Sequence, residues 1–156
     1  MPVIELVTVI NAPIERCFDL SRSIDLHKMS AHGTNEEAIA GVTTGLIGFD
    51  ETVTWRAKHF GVTQTLSSKI TAFTRPYHFC DEMIEGTFKY IRHDHWFDEA
   101  DGGSIMKDKF DFESPGYFLG KLFNYLVLTH YLRSFLLRRN ALIKTVAEGN
   151  DWTELI

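Results

Sequence analysis

A short run of groups that can bind metals or move protons lies in the second half of the chain, at His93, Asp94 and His95. Alternating residues around it predict a strand over 87–97, and a second strand follows over 104–112. If a two-residue turn of type I′ at Asp101-Gly102 joins them, counting back from the turn brings His95 opposite Asp108. Because a carboxylate can orient an imidazole and stabilise its proton, this pair is the sharpest candidate for acid–base chemistry.

The register counted from this turn gives the hairpin a charged outer face and a mainly apolar inner face. On the outer face Asp94 lies opposite Lys109, and Arg92 lies opposite Asp111, so we expect two solvent-exposed ion pairs worth at most about 1 kcal/mol each. The inner face is apolar except for His93, His95 and Asp108. Because Asp94 points away from both histidines, we expect no metal ion at this run and no cofactor in the protein.

Three interpretations of His95 and Asp108 remain open. They could be an internal polar pair that satisfies its own hydrogen bonds, an acid–base pair, or a group that binds a ligand. The sequence has no P-loop, GxGxxG, HExxH or Ser-His-Asp pattern that would indicate another chemistry.

Composition excludes several classes of protein. The chain has 156 residues, 44% of them hydrophobic, which predicts one domain over 1–149 and a short tail over 150–156. Its 16 basic and 21 acidic residues give a net charge of −5, which excludes a basic surface for nucleic acid. Cys17 and Cys80 lack the spacing of a disulfide framework or a cysteine-rich zinc site. Twelve phenylalanines predict a wide apolar interior.

Neither a signal peptide nor a membrane span is predicted. The first residues lack a basic region followed by an apolar one, and the longest apolar stretch, 117–137, contains Lys121, Asn124, His130 and Arg133. We therefore expect a cytoplasmic protein without an integral membrane segment.

Along the chain, periodicity predicts a strand over 3–10, then two short helices over 14–20 and 23–28, with Asn11 as the N-cap of the first and Ser21 or Ser23 as the N-cap of the second. Six strands separated by short turns follow, which indicates an antiparallel meander. In the hairpin at Phe60-Gly61, the count pairs Trp55 with Leu66 on an apolar face. The faces of the strand over 77–84 stay unassigned, because a one-residue shift at Gly86 would exchange them.

One long helix is predicted from residue 116 to about residue 149, apolar almost all round up to residue 137. A single-sided sheet needs only one apolar stripe of this helix. A second stripe, made of Leu128, Tyr131, Phe135 and Leu142, could cover the edge of the sheet, a lipid surface or a second copy of the chain. A homodimer through this stripe is therefore one expectation.

Several groups of residues resemble the helix-grip superfamily that includes START domains and birch-pollen allergens, also called SRPBCC. They are Val9-Ile10-Asn11-Ala12-Pro13 with Cys17-Phe18-Asp19; Gly45 with Asp50-Glu51-Val53-Trp55-Ala57-His59-Phe60-Gly61; Phe79-Asp81-Glu82-Met83-Gly86-Phe88; His93-Asp94-His95-Phe97 with Met106-Asp108; and Pro115-Gly116 with Leu119-Gly120-Leu122. The sequence is most similar to the bacterial single-domain ligand-binding branch, near polyketide cyclase and coenzyme-Q-binding relatives. The resemblance implies an α+β fold in which a seven-stranded curved antiparallel sheet wraps around the long C-terminal helix.

The resemblance also implies a cavity between sheet and helix that binds or carries a hydrophobic small molecule such as a lipid, quinone or polyketide-like compound. From the predicted faces we expect this cavity to be lined by Val53, Trp55, Gln64, Leu66, His93, His95, Phe97, Met106, Asp108, Phe110, Leu122, Leu126 and Leu136. Two alternatives remain: a small cyclase or hydratase that uses His95 and Asp108, and a protein-interaction module that uses the long helix.

Overall fold

Seven strands and three α-helices make up the part of the chain that the computed structural model describes, which is residues 2–114, 116, 122 and 124–156. The strands are β1 (Val3–Ile10), β2 (Glu37–Gly41), β3 (Thr52–His59), β4 (Val62–Thr74), β5 (His78–Gly86), β6 (Tyr90–Ala100) and β7 (Gly103–Glu113). The α-helices are α1 (Ile14–Ser21), α2 (Ile24–Ser30) and α3 (Thr129–Glu148). A π-helical turn over Asn124–Leu128 leads into α3, and 3-10 turns cover His32–Thr34 and Asp151–Glu154.

The strands form one antiparallel sheet in the order β1-β7-β6-β5-β4-β3-β2. Chain neighbours pair in sequence from β2 to β7, and β1 then adds to the free edge of β7. The curved sheet with a long C-terminal helix confirms the predicted helix-grip α+β fold. At the predicted start of that helix Gly116 is described and is not helical, and residues 117–121 lie outside the described residues. Among the described residues, no helix is both long and apolar enough to cross a membrane.

The predicted register of both hairpins is confirmed. His95 pairs with Asp108, Asp94 with Lys109, and Trp55 with Leu66. The type I′ turn predicted at Asp101-Gly102 is wrong, because of the two turn residues only Gly102 has a positive φ, of 75°. Positive φ at both central residues, as type I′ requires, occurs instead at Phe60 (51°) and Gly61 (77°).

The two exposed ion pairs expected across β6 and β7 are not formed. Asp94 accepts a hydrogen bond from Arg92 Nε at 2.7 Å along the same strand, and its other oxygen lies 2.8 Å from His78 Nε2 on β5. Lys109 lies 3.6 Å from Asp111, its neighbour on β7. Asp94 is therefore on the predicted outer face but is buried, because the side chains of Arg92 and His78 hydrogen-bond to it there.

Local contacts fix the two short helices. The predicted cap of α1 is wrong: Pro13 occupies the N-cap position, and the backbone N–H of Asn11 donates instead to Glu148 at 2.8 Å. The cap of α2 is confirmed at Ser23, whose side chain accepts from the backbone N–H of Leu26. Trp152, in the predicted tail, packs beneath the guanidinium of Arg16, 4.1 Å from its ring centre.

The apolar interior has two buried clusters. At one end of the sheet, α1 inserts Phe18 among Phe73, Phe79 and Phe97, each 5.3 Å away between ring centres. At the other end, α3 contributes Leu136 to a cluster with residues of β1, β6 and β7.

The second apolar stripe of the long helix faces the protein's own sheet. Leu128 is buried, Leu142 packs against the core, and the Tyr131 hydroxyl is 2.7 Å from His59 Nδ1 on β3. This stripe therefore does not provide the homodimer surface expected from the sequence. The exposed apolar side chains of the helical segment are those of Leu122, Tyr125, Leu126, Val127 and Leu137.

Candidate functional site

A cavity of about 190 Å³ lies between the inner face of the sheet and α2 and α3. Its wall is mainly apolar and aromatic. Strands β3 to β7 supply most of the lining side chains, and α3 supplies Leu132, Phe135, Leu136 and Arg139. The cavity exists because alternate residues of each strand point toward α3 while large side chains at both ends keep sheet and helix apart.

Seven of the thirteen side chains expected from the sequence line this cavity; they are Val53, Trp55, Leu66, His93, His95, Phe110 and Leu136. Asp108 lies behind the two histidines and is 3% exposed. Phe97 and Met106 are fully buried in the cluster around Phe18, beyond the cavity wall.

The expectation is wrong for Gln64, Leu122 and Leu126. Gln64 lies near the end of the β3–β4 hairpin and accepts a hydrogen bond from Thr87 at an exposed position. Leu122 is 52% exposed and Leu126 is 61% exposed, so neither lines the cavity. Among the described residues of the long helix, the side chains that line the cavity begin at Leu132.

A buried polar cluster forms one part of the cavity wall. Asp108 Oδ1 lies 3.0 Å from His93 Nε2 and 2.8 Å from His95 Nδ1. Asp108 Oδ2 accepts a hydrogen bond of 2.7 Å from the side-chain amide of Asn140 on α3. Arg139, which precedes Asn140, is 3.6 Å from Asp108 and donates to the backbone oxygen of Ser21. Sheet and helix are thus joined through one carboxylate.

Asp81 on β5 completes the cluster from the cavity side. Its Oδ2 lies 3.1 Å from His95 Nε2 and 4.0 Å from His93 Nδ1. The sequence did not reveal this residue, because the faces of β5 depend on two register shifts in the β4–β5 pairing. Asp81 pairs with His93 across β5 and β6. Because paired residues lie on the same face of a sheet, knowing this register would have placed Asp81 beside the histidines.

The arrangement requires a cation or an additional proton beside His95. A neutral imidazole that donates from Nδ1 to Asp108 presents a lone pair at Nε2, where Asp81 presents another acceptor. Two acceptors 3.1 Å apart repel each other unless a proton or a metal ion lies between them. A proton held between Asp81 and His95, or a metal ion bound by both, would remove this repulsion.

Burial and neighbouring charges shift the pKa values of this cluster. Burial lowers the pKa of His93 to about 4, and a positive charge on His95 contributes in the same direction. For Asp108, burial would raise the pKa, but the hydrogen bonds from His93 and His95 outweigh burial and hold it well below the usual value. The pKa of Asp81 is lowered against burial by its hydrogen bond with His95. Both carboxylates are therefore charged at neutral pH.

A second group of polar side chains lies where the cavity meets α2. His27 stacks on Trp55, with ring centres 4.3 Å apart, and its Nε2 lies 2.9 Å from Glu36. His59, the last residue of β3, also lines the cavity, and burial lowers its pKa. These residues place hydrogen-bonding groups at a second point of an otherwise apolar wall.

Asp81, His93 and His95 form the candidate metal-binding group within the described part of the chain, and their possible ligand atoms all lie within 4.8 Å of one another. Asp94 belongs to the opposite face of β6. Cys80, beside Asp81, is buried and its pKa is raised by burial to about 12, so its thiol is protonated and a poor nucleophile.

Solved structures with the same fold are similar to this chain at low sequence identity. The protein TTHA0849 from Thermus thermophilus superposes with a TM-score of 0.72 at 17% identity, covering 94% of this chain and 99% of that one. Major latex-like protein 151 from Panax ginseng gives 0.67 at 16% identity, covering 95% and 98%. Ara h 8.0201 gives 0.60 at 14% identity, covering 92% and 98%.

No protein-family model and no curated protein matches the sequence. These similarities show that the chain has the same fold as the three solved structures.

Proposed function

We propose that this protein binds a small, mainly hydrophobic molecule that carries one hydrogen-bonding group, in the cavity between the sheet and α3. The observation that carries the proposal is a mainly apolar cavity wall in which the side chains of Asp81, His93 and His95 converge on one point. Apolar pockets with a few convergent polar groups are the usual form of small-molecule sites. The resemblance to the bacterial ligand-binding branch supports the same function by analogy.

The cavity volume narrows the class of ligand. Sites for drug-sized molecules measure about 300–1,000 Å³, whereas an engineered cavity of about 150 Å³ holds benzene. At about 190 Å³, this cavity suits a molecule of one or two rings. Among the ligands considered from the sequence, a quinone head group or a small polyketide-like aromatic compound fits this volume better than a long-chain lipid.

The polar cluster selects the ligand's functional group. The Asp81 carboxylate keeps 28% of its surface accessible, and Asp108 orients both imidazoles toward the same point. A hydroxyl or carbonyl group placed there would gain a hydrogen bond inside an apolar site, where an unmatched group is costly. We therefore propose a ligand with a phenol-like or quinone-like oxygen at one end.

Fluorescence titration with 2-naphthol tests the proposal, with 2-methylnaphthalene as the ligand of the same shape that lacks the hydroxyl. We expect one saturable site for 2-naphthol and at least tenfold weaker binding of 2-methylnaphthalene. Leu136→Trp should abolish binding because Leu136 lines the cavity, whereas Leu137→Trp, at a residue that is 48% exposed, should preserve it. Leu122→Trp should also preserve it.

Two results would contradict the proposal: no saturable binding of 2-naphthol by the unmodified protein, or equal loss in the Leu136→Trp and Leu137→Trp variants. Circular dichroism of each variant checks that it folds. If Leu136→Trp does not fold, the comparison of the two ligands on the unmodified protein still decides whether the polar cluster selects a hydroxyl.

A small enzyme of the cyclase or hydratase type is the second candidate, and one observation favours it. Asp108 holds Nδ1 of His95 while Nε2 faces the cavity beside Asp81, which is how an acid–base imidazole is positioned. Native mass spectrometry of the purified protein would identify a copurifying ligand. If that ligand is chemically converted, His95→Gln should stop its conversion without preventing its binding.

A further inference from the structure

We propose that Asp81, His93 and His95 bind one divalent transition-metal ion in the wall of the cavity. This site does not depend on the hydrophobic ligand, and it uses a different carboxylate from the His93-Asp94-His95 run seen in the sequence. The expectation that this run binds no metal was based on Asp94 facing away. Asp81, from the neighbouring strand, lies on the inner face with both histidines.

The three ligand atoms lie within 4.8 Å of one another, and one pair of them already has the spacing of a metal site. Bonds of about 2.0–2.2 Å to nitrogen and oxygen, at angles near tetrahedral, separate ligand atoms by roughly 3–3.5 Å. Asp81 Oδ2 is 3.1 Å from His95 Nε2. Its distance of 4.0 Å from His93 Nδ1 would close by a small rotation of the Asp81 side chain, which borders the cavity.

In each imidazole, the nitrogen that does not face the proposed metal forms a hydrogen bond, as is common in metal-binding histidines. His93 and His95 each hydrogen-bond through that nitrogen to Asp108, which Asn140 holds in turn. A carboxylate behind a histidine sets its tautomer and directs the free lone pair at the metal. Here one buried carboxylate does this for two histidines that point to the same place.

The free lone pairs need a cation. Within the described residues, Nδ1 of His93 has no hydrogen-bond partner although the residue is 5% exposed. A single proton between His95 and Asp81 provides the hydrogen bond of that pair, but it leaves Nδ1 of His93 without a partner. A divalent ion satisfies all three acceptors and balances the charges of Asp81 and Asp108.

The donor set indicates the class of metal. Two imidazole nitrogens and one carboxylate suit Zn²⁺, Fe²⁺ or Co²⁺ rather than Mg²⁺ or Ca²⁺, which prefer oxygen ligands. Three protein ligands leave at least one position open. That position faces the cavity, so water or an oxygen of a bound molecule would complete the coordination.

Titration of the chelator-treated protein with Co²⁺, followed by visible absorption, tests the site. We expect one strong binding site per chain, without the charge-transfer band of a thiolate ligand. Asp81→Ala should weaken Co²⁺ binding at least tenfold. Asp94→Asn is the matched control, since it removes the carboxylate between the two histidines on the opposite face, and should change the affinity less than twofold.

Absence of a strong site in the unmodified protein would overturn the proposal. So would Co²⁺ affinity that survives Asp81→Ala, or that falls equally in Asp94→Asn. If Asp81→Ala does not fold, Asp81→Ser provides the same comparison, because it also removes the carboxylate. Competition by Zn²⁺ for the Co²⁺ signal would then order the affinities of the two metals.

Discussion

At the scale of single residues, Asp108 connects the sheet, the helix and the candidate site. It is 3% exposed and lies within 3.0 Å of nitrogen atoms of His93, His95 and Asn140. A buried charge is tolerated only when its hydrogen-bonding capacity is met by well-placed partners. Asp108 meets this condition and also fixes which nitrogen of each histidine faces the cavity.

Removing this carboxylate should destabilise the fold strongly. Asp108→Ala removes the shared acceptor of His93, His95 and Asn140 and the carboxylate that lies 3.6 Å from Arg139, so we expect a loss of about 3 kcal/mol in the free energy of unfolding. Urea denaturation measures it. The control is Asp98→Ala, which removes an exposed carboxylate paired with Lys107 and should cost about 0.5 kcal/mol or less. Equal losses of unfolding free energy in the two variants would show that the buried cluster does not stabilise the fold.

Some residues of this polar cluster could be placed together from the sequence, and others could not. His95 and Asp108 could be placed together because a short turn fixes the register of their hairpin. Asp81 could not be placed, because bulges between Ser67 and Ser68 and between Ile70 and Ala72 change the pairing of its strand. Asn140 gave no signal, since only packing of α3 brings it to the sheet.

At the scale of elements, Asp19 ties α1 to the turn between β4 and β5. Its carboxylate is 2.6 Å from Arg75 in that turn and 2.8 Å from Arg22 at the end of α1. Burial raises the pKa of Asp19, but the hydrogen bonds from Arg75 and Arg22 outweigh burial and hold the pKa below its usual value of 3.8.

The contribution of this contact should therefore depend on pH. A carboxyl group with a lowered folded-state pKa stabilises the fold above its unfolded pKa, and this stabilisation is lost as pH falls through the folded value. We expect Asp19→Asn to cost about 2 kcal/mol at pH 7. The difference from the unmodified protein should shrink below about pH 4. Urea denaturation at several pH values measures this, and a difference that is constant from pH 7 to pH 3 would contradict the assignment.

The long helix shows where element-level patterns stop being informative. Alternation identified the faces of β3, β6 and β7, because each strand has one polar and one apolar side. The helix is apolar on several sides, so its periodicity could not tell Leu122 and Leu126, which are exposed, from Leu132 and Phe135, which line the cavity. Only the packed structure distinguishes them.

At the scale of the whole molecule, the fold follows from the order of elements, whereas the cavity does not. A strand, two short helices, a meander and a long helix leave few arrangements that bury the single apolar face of the sheet. The cavity volume depends on how side chains from strands β3 to β7 and from all three α-helices meet, and no pattern within one element encodes it. Several of the residues that we expected to line the cavity therefore lie elsewhere.

The most direct test of a ligand-binding cavity is the methyl NMR spectrum of isoleucine-labelled protein during titration with 2-naphthol. Ile70 and Ile91 line the cavity, whereas Ile4 and Ile10 are equally buried outside it. We expect the δ1-methyl signals of Ile70 and Ile91 to shift and saturate together, while those of Ile4 and Ile10 stay unchanged. Shifts confined to exposed residues such as Ile39 and Ile84, or no saturable shift at Ile70 and Ile91, would contradict the proposal.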